Sequence, residues 1–243
     1  MTPLLDAFSD TPLDCPHWLS PCGTVLLINS DSMAVLQRMH AKSVNCVVTD
    51  PPYNIGEQYA NYEDNRVAYY EWCEEWLSHC LCVAECVLVT PGTPNLTHWT
   101  KFKHDPAWIH CWYKPNATNR SGARWVNVWE PVLRYGGKWR HYHDSLRLSI
   151  GRQTDTGNHP CPKPLKWGTW AVTGVSDAGQ IVLDPFSGSG TTPVACIQTG
   201  RRCIAIEIDP GYFAVGISRC EAAFADTATF FGRPVQQSLG VAQ

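Results

Sequence analysis

Ile181 to Thr192 reads IVLDPFSGSGTT, an apolar run of strand length that breaks into a glycine turn and reopens as a helix start. Gly188 and Gly190 let the backbone come close to a ligand, and Thr191 and Thr192 begin the helix. The next apolar run, Arg202 to Ile206, ends at Glu207, 17 residues beyond Gly190, where a carboxylate can bind both hydroxyls of a ribose. This geometry suits a nucleoside-like cofactor. NAD fits poorly, since Thr191, Thr192 and Pro193 stand where its fingerprint wants a third glycine. Without a ligand the same residues would make a plain strand, turn and helix.

Working outward, Thr24 to Asn29 (TVLLIN) suits a buried strand, and Ser30, Asp31 and Ser32 offer caps for a helix from Met33 to about His40. A second strand, Val44 to Thr49, runs into Asp50-Pro51-Pro52-Tyr53, where two prolines end any regular element. Asn54 to Asn65, with Tyr59 and Tyr62, reads as a loop. A helix from Val67 to about Cys82 and a strand near Cys86 to Thr90 follow. Short strands are expected at Trp108 to Tyr113 and Asn127 to Tyr135, and a helix from His159 through Trp170. A last helix runs to about Ala225, and the tail from Phe231 reads as loose. Strands alternating with helices predict an α/β fold with a mostly parallel sheet, whose ligands sit beyond the carboxyl ends of strands. Asp50 to Tyr53, Asp184 to Thr192 and Glu207 all fall at such ends.

The composition narrows the function. With 11 Trp, 9 Tyr and 7 Phe in 243 residues the chain cannot stay disordered, and no apolar run reaches the roughly 20 residues of a membrane helix. The first ten residues lack a basic and apolar leader, which places the 12 Cys in a reducing cytoplasm as free thiols. Cys80, Cys82 and Cys86 lie close together, yet no Cys-x-x-Cys pair exists, and Cys73, Trp76, Leu77 and Cys80 follow the spacing of a buried helix face. No metal is expected. The formal charge of -3 hides an asymmetry: Thr100 to Trp167 holds 12 Lys and Arg against 4 Asp and Glu, or +8, while the remainder carries 7 against 18, or -11. A basic block holding Trp108, Trp112, Trp125, Trp129 and Trp139 fits a nucleic acid as partner, and fits equally a solvated surface over an aromatic core.

Asp50-Pro51-Pro52-Tyr53 has chemistry of its own. The exocyclic amine of a nucleobase is a poor nucleophile because its lone pair is conjugated into the ring. A carboxylate at Asp50, with the Pro51 carbonyl, can accept both amino hydrogens and free that lone pair towards an electrophile. Proline holds its carbonyl rigidly and brings no N–H of its own, and Tyr53 can stack on an extruded base. Alone, the four residues could equally be a capped turn.

Together these motifs resemble the N4-cytosine/N6-adenine amino-methyltransferase family of DNA methylases. TDPPYN at Thr49 to Asn54 is similar to its catalytic motif, and DPFSGSGTT at Asp184 to Thr192 to its S-adenosylmethionine motif. HPCPKP at His159 to Pro164 resembles the HPxxKP motif that precedes it. Gly200 to Arg219 resembles its ribose-binding strand and following helix, and Ile28 to Met33 its acidic turn. The order, with catalytic half first, basic block second and cofactor half last, is that of the family's β arrangement.

The resemblance implies a Rossmann-like methyltransferase domain over 24–225, with a target-recognition region at about 91–158, an N-terminal lead at 1–23 and a tail at 226–243. It implies that Asp31, Asp184, Phe186, Ser187, Gly188, Ser189, Gly190, Thr191 and Glu207 hold the cofactor, with His159 and Lys163 near its methionine end. Asp50, Pro51, Pro52 and Tyr53 would be catalytic. Lys114, Arg120 and Arg124 would grip DNA, by phosphate or by guanine. Trp129-Glu130-Pro131 resembles the family's WE-containing strand near the base pocket.

The expected activity is transfer of a methyl group from S-adenosylmethionine to N6 of a flipped adenine in double-stranded DNA. Cytosine N4 is the alternative in the same fold; RNA or protein methylation and a silent DNA-binding module are others. Asp50 and Tyr53 argue against silence, and Asp rather than Asn before the two prolines argues against protein substrates. Cys22 and Cys161 follow prolines without a following Gln, unlike the nucleophile of cytosine-C5 enzymes. A cognate restriction nuclease is compatible with the resemblance.

Overall fold

The computed structural model describes residues 4–9, 13–56, 65–118, 126–151 and 162–231, with 228–231 given by backbone alone. Its strands are β1 (His17–Leu19), β2 (Val25–Asn29), β3 (Cys46–Thr49), β4 (Cys86–Val89), β5 (Trp108–Tyr113), β6 (Trp129–Gly136), β7 (Ser145–Arg147), β8 (Ile181–Asp184) and β9 (Arg202–Glu207). Its helices are α1 (Ser32–Leu36), α2 (Tyr69–Val83), α3 (Leu96–Trp99), α4 (Leu165–Val175), α5 (Thr191–Gln198) and α6 (Pro210–Phe231). The strands form one sheet in the order β1-β2-β9-β8-β3-β4-β6-β5-β7. From β2 to β4 every neighbour is parallel; β6 and β5 continue antiparallel, β7 pairs parallel to β5, and β1 caps the other edge antiparallel.

The five parallel strands are short apolar runs because both of their faces are covered. Leu26, Ile28, Val47, Val87, Val89, Leu183, Ile204 and Ile206 point to the layer of α1 and α2, where Trp76 and Leu77 are fully buried. Their sequence neighbours Val25, Leu27, Cys46, Val48, Leu88, Val182, Cys203 and Ala205 point to the layer of α4, α5 and α6. On that side Gly168 of α4 admits α5 closely: a Cβ there would lie 2.9 Å from the Thr191 methyl. The strand order reverses direction between β8 and β3, so their carboxyl ends open a crevice at the switch point.

Several boundaries differ from the sequence expectation: α4 starts at Leu165, since Pro164 stands at its N-cap, and runs to Val175 rather than Trp170, and α6 runs to Phe231 rather than about Ala225. The lead is part of the fold: Leu4 and Phe8 are buried, and β1 pairs with β2. α1 stops at Leu36 rather than His40, because residues 38–40 leave the helix to hydrogen-bond with 7–9. Ser9 N–H donates to the Arg38 carbonyl and His40 N–H to the Ala7 carbonyl, each at 2.9 Å.

One buried histidine makes stability pH-dependent. His110 of β5 is 1% exposed and packs on Trp139 with ring centroids 4.0 Å apart, and neither ring nitrogen has a hydrogen bond of ordinary geometry among the described residues. Burial first, then the nearby Arg134, pushes its pKa down to about 4; Asp144 offsets this only in part, and His141 adds to it. A histidine depressed in the folded state stabilises above its unfolded value of 6.5 and loses that contribution as pH falls towards 4. We expect the protein to lose about 2 kcal/mol between pH 7 and pH 5 through this group. Thermal melts across that range check it, and His110→Phe should flatten the slope; a mutant that keeps the wild-type slope refutes the assignment.

Candidate active site

A cleft of about 360 Å³ lies over the carboxyl ends of β3, β8 and β9, a size typical of a small-molecule site. Asp31, Asp50, Pro51, Pro52, Tyr53, Lys163, Phe186, Gly188 and Glu207 all line it. The two halves of the chain therefore share one crevice.

On the cofactor side, β9 ends at Glu207, whose oxygens accept the Gly188 N–H at 2.7 Å and the Asp209 N–H at 2.8 Å. Burial raises the Glu207 carboxyl to about 7, against the lowering by those two backbone donors. Asp31 caps α1 by accepting the Ala34 N–H at 3.0 Å. Phe186 packs edge-on against Trp72 and Trp76 at 5.4 and 5.1 Å. A carboxylate at the end of β9, a glycine with φ of +52° beside it, and the apolar walls of Ile208 and Tyr212 make a donor set that fits a nucleoside.

Five residues of the same motif stand behind the loop instead of lining the cleft. Asp184 is 3% exposed and accepts from Thr49 Oγ1 at 2.7 Å and the Phe186 N–H at 3.1 Å, which ties β8 to β3; burial raises its pKa to about 6. Ser187 N–H donates to the Ile206 carbonyl at 2.9 Å, and the Ser189 carbonyl accepts Arg219 Nη1 at 2.6 Å. Thr191 Oγ1 donates to the Lys163 carbonyl at 3.1 Å. Gly190 has φ of +87°, and a Cβ there would lie 3.1 Å from the Gly216 Cα of α6. These residues shape the turn that presents Phe186 and Gly188.

On the opposite side of the cleft, Asp50 follows β3 directly. Its Oδ1 accepts the Tyr53 hydroxyl at 2.6 Å and the Thr90 hydroxyl, and its Oδ2 faces Lys163 Nζ at 2.8 Å. Tyr69 donates to the Pro52 carbonyl at 2.8 Å and Asn95 to the Tyr53 carbonyl at 2.8 Å, so the proline turn is held from outside. Gly92, with φ of +73°, makes room for Tyr53, whose ring a Cβ would meet at 2.8 Å. Burial, then the negative charge of Asp50, raises the Tyr53 phenol well above its ordinary value and keeps it protonated.

Lys163 reaches further into this cluster than the sequence expectation placed it. Its ammonium also lies 2.9 Å from the Tyr53 hydroxyl and 3.3 Å from Glu130 Oε2. Burial opposes the charge, but Asp50, Tyr53 and Glu130 outweigh it and raise the pKa well above the usual lysine value. Lys114 corrects the DNA-binding expectation. It is 5% exposed, and its Nζ sits 2.7 Å from Glu130 Oε1 and 5.5 Å from the Trp112 ring, so its charge is spent inside the fold. Burial pushes the Glu130 carboxyl up, yet Lys163 and Lys114 together bring it below the usual range. Arg120, Arg124 and His159 lie outside the described residues. Sequence reasoning missed Thr90, Tyr69 and Asn95; for Thr90 the signal was there, since β4 runs parallel to β3 and ends beside it.

A mostly parallel sheet with this reversal, and a nucleoside-type crevice beside an Asp-Pro-Pro-Tyr turn, define a Rossmann-like methyltransferase. The DNA methylase family model of N6/N4 methyltransferases matches residues 97–218, just over half of the chain, and the chain belongs to that family. Its methyl donor is S-adenosylmethionine. The chain is 24% identical to the type II methyltransferase M.HpaI of Haemophilus parainfluenzae, over 82% of this chain and 74% of that protein. It is 23% identical to the DNA adenine methyltransferase YhdJ of Escherichia coli K12, over 81% and 83%. The fold matches the M1.HpyAVI–SAM complex at a TM-score of 0.62 (22% identity, 80% of this chain and 98% of that one). It matches the cytosine-N4-specific PvuII DNA methyltransferase at 0.65 (17% identity, 85% and 92%).

Glu207 gives the cofactor half a pH signature. If the ionised carboxylate takes the ribose hydroxyls, apparent affinity scales with the ionised fraction, so a pKa of about 7 predicts nearly tenfold tighter S-adenosylmethionine binding at pH 8 than at pH 6. Calorimetry at the two pH values checks this, with Glu207→Gln expected to be weak and flat; a wild type with no pH dependence refutes it. Folding has the opposite sign: a carboxyl raised from 4.5 to about 7 favours the folded state most at low pH, and that contribution fades as pH rises through 7.

Proposed function

We propose that the protein transfers a methyl group to N6 of an adenine turned out of double-stranded DNA in the cytoplasm. The observation that carries this is the Asp50 cluster on the floor of the cleft. Oδ1 is fixed by two hydroxyls, and the Pro52 carbonyl is taken by Tyr69, so Asp50 Oδ2 and the Pro51 carbonyl are the acceptors for the two amino hydrogens. Accepting both draws the nitrogen lone pair out of ring conjugation and turns it towards Phe186 and Gly188. The carboxylate also offsets the positive charge that the nitrogen gains as the methyl–sulfur bond breaks and a neutral thioether leaves, and the surplus amino proton then passes to Asp50 Oδ2. Lys163 can yield Oδ2 to the amine because Glu130 stands ready as its second carboxylate. Glu207, Asp31 and the Phe186–Gly188 turn would hold S-adenosylmethionine, which would supply a methyl group on a sulfonium, and the acidic lining suits that positive charge.

Cytosine N4 presents the same amino group beside a ring acceptor, and the acceptor pair suits it too. Adenine is favoured because the family's cytosine members more often carry Ser where this chain has Asp50, and because YhdJ is an adenine enzyme. Methylating duplex DNA in vitro, digesting it to nucleosides and resolving them by mass spectrometry decides the base. N6-methyladenine is expected; N4-methylcytosine as the sole product overturns the proposal. Tritium from labelled cofactor appearing in RNA or protein rather than DNA would overturn the substrate class.

A further inference from the structure

Among the described residues the charged lining of the cleft is lopsided: Asp31, Asp50, Glu130, Glu207 and Asp209 against Lys163 and Arg66. Lys163 is committed to Asp50 and Glu130. Arg66 has no ion pair among the described residues. It lies just ahead of α2, with its guanidinium 4.7 Å over the Trp72 ring, and that ring meets Phe186 of the cofactor turn edge-on.

The methyl donor carries two positive groups, a sulfonium and an α-ammonium, which an acidic cleft attracts. It carries one negative group, the α-carboxylate, which the same cleft repels. Among the described residues of this lining, Lys163 is taken by two carboxylates, which leaves Arg66 as the cation placed to balance that charge. We infer that Arg66 holds the α-carboxylate of S-adenosylmethionine, an anchoring point outside every motif that carries the family resemblance.

Trp72 restrains the guanidinium before the ligand arrives, and a planar fork matches a carboxylate in two parallel hydrogen bonds. The inference rests on reading the cleft as the cofactor's. A phosphate of the target strand offers similar anionic oxygens, so the test must separate the two sources.

Calorimetry on the full chain, comparing S-adenosylmethionine with its decarboxylated analogue, isolates the carboxylate. In Arg66→Ala the affinity for S-adenosylmethionine should fall about 10- to 100-fold, the range of a charge-assisted pair, while the analogue changes by less than about twofold. Arg66→Lys should lie between. Equal loss for both ligands would mean that Arg66 only packs on Trp72, and loss for neither would mean that it does not touch the cofactor; either result overturns the inference. So does intact cofactor binding combined with weaker duplex binding and a shallower salt dependence, which assigns the anion to phosphate. A wild type that fails to bind S-adenosylmethionine removes the cofactor reading itself, a result distinct from a wild type that binds and a mutant that is unchanged.

Discussion

Asp50→Ala is expected to transfer methyl groups about 1000-fold more slowly than the wild type, the upper range for removing one preorganised polar partner of a transition state. Cofactor and duplex affinities should stay near normal. The side chain is 24% exposed and packs little, and Lys163 keeps Glu130 when Asp50 is gone. What disappears is the acceptor that localises the amine lone pair, an interaction worth most when the nitrogen becomes positive, so kcat falls while KM holds. Asp50→Asn should fall between, since its oxygen still accepts but carries no charge. Single-turnover rates at saturating cofactor and DNA measure the effect. Turnover within a few-fold of wild type in Asp50→Ala would remove Asp50 from the reaction.

The second large effect is on stability. Glu130 stands between Lys114 and Lys163, with side-chain exposures of 14%, 7% and 9% for Glu130, Lys114 and Lys163. Glu130→Ala leaves the buried Lys114 ammonium without its carboxylate and Lys163 with Asp50 alone, and breaking a buried pair from one side costs roughly 3–5 kcal/mol. For a chain of this size that lowers Tm by roughly 6–20 °C. Lys114→Met alone should cost less, since Glu130 keeps Lys163. The double variant Lys114→Met, Glu130→Leu should recover much of the loss by removing charge and carboxylate together. Denaturant melts of the three variants check this order. A Glu130→Ala protein as stable as wild type would mean that the cluster contributes nothing to folding.

The sequence announced the sheet, because buried parallel strands are continuous apolar runs, and it announced the crevice, because Asp50, Asp184 and Glu207 each close such a run. It did not show which motif residues face the ligand. Asp184 and Ser189 look like their neighbours in a string of letters, and only the turn of the loop sends one side chain inward and the next outward. Lys114 misled for a related reason. Counting charges along 100–167 treats each lysine as solvated, but Glu130 reaches it across the β5–β6 pair, where Trp112 lies opposite Glu130 and Lys114 follows. The lead was unreadable because β1 has three residues, too few for an alternation to register, and Leu4-Leu5 and Ala7-Phe8 are short apolar pairs broken by Asp6 and flanked by proline and polar residues.

The order of the sheet has a consequence for how the molecule is made. β2 and β3 are consecutive in the chain, yet β9 and β8, the last strands in sequence, lie between them. Until β8 and β9 are made, β2 and β3 therefore lack the strands that their inner edges pair with in the finished sheet. About 150 residues must follow β3 before Leu183 and Ile204 can take those places. Assembly cannot proceed from one end to the other; it closes from the inside, at the last moment, around the turn that carries Phe186 and Gly188. The site is completed by the same event that completes the sheet, so a chain truncated before β8 would carry unpaired strand edges and no crevice to bind with.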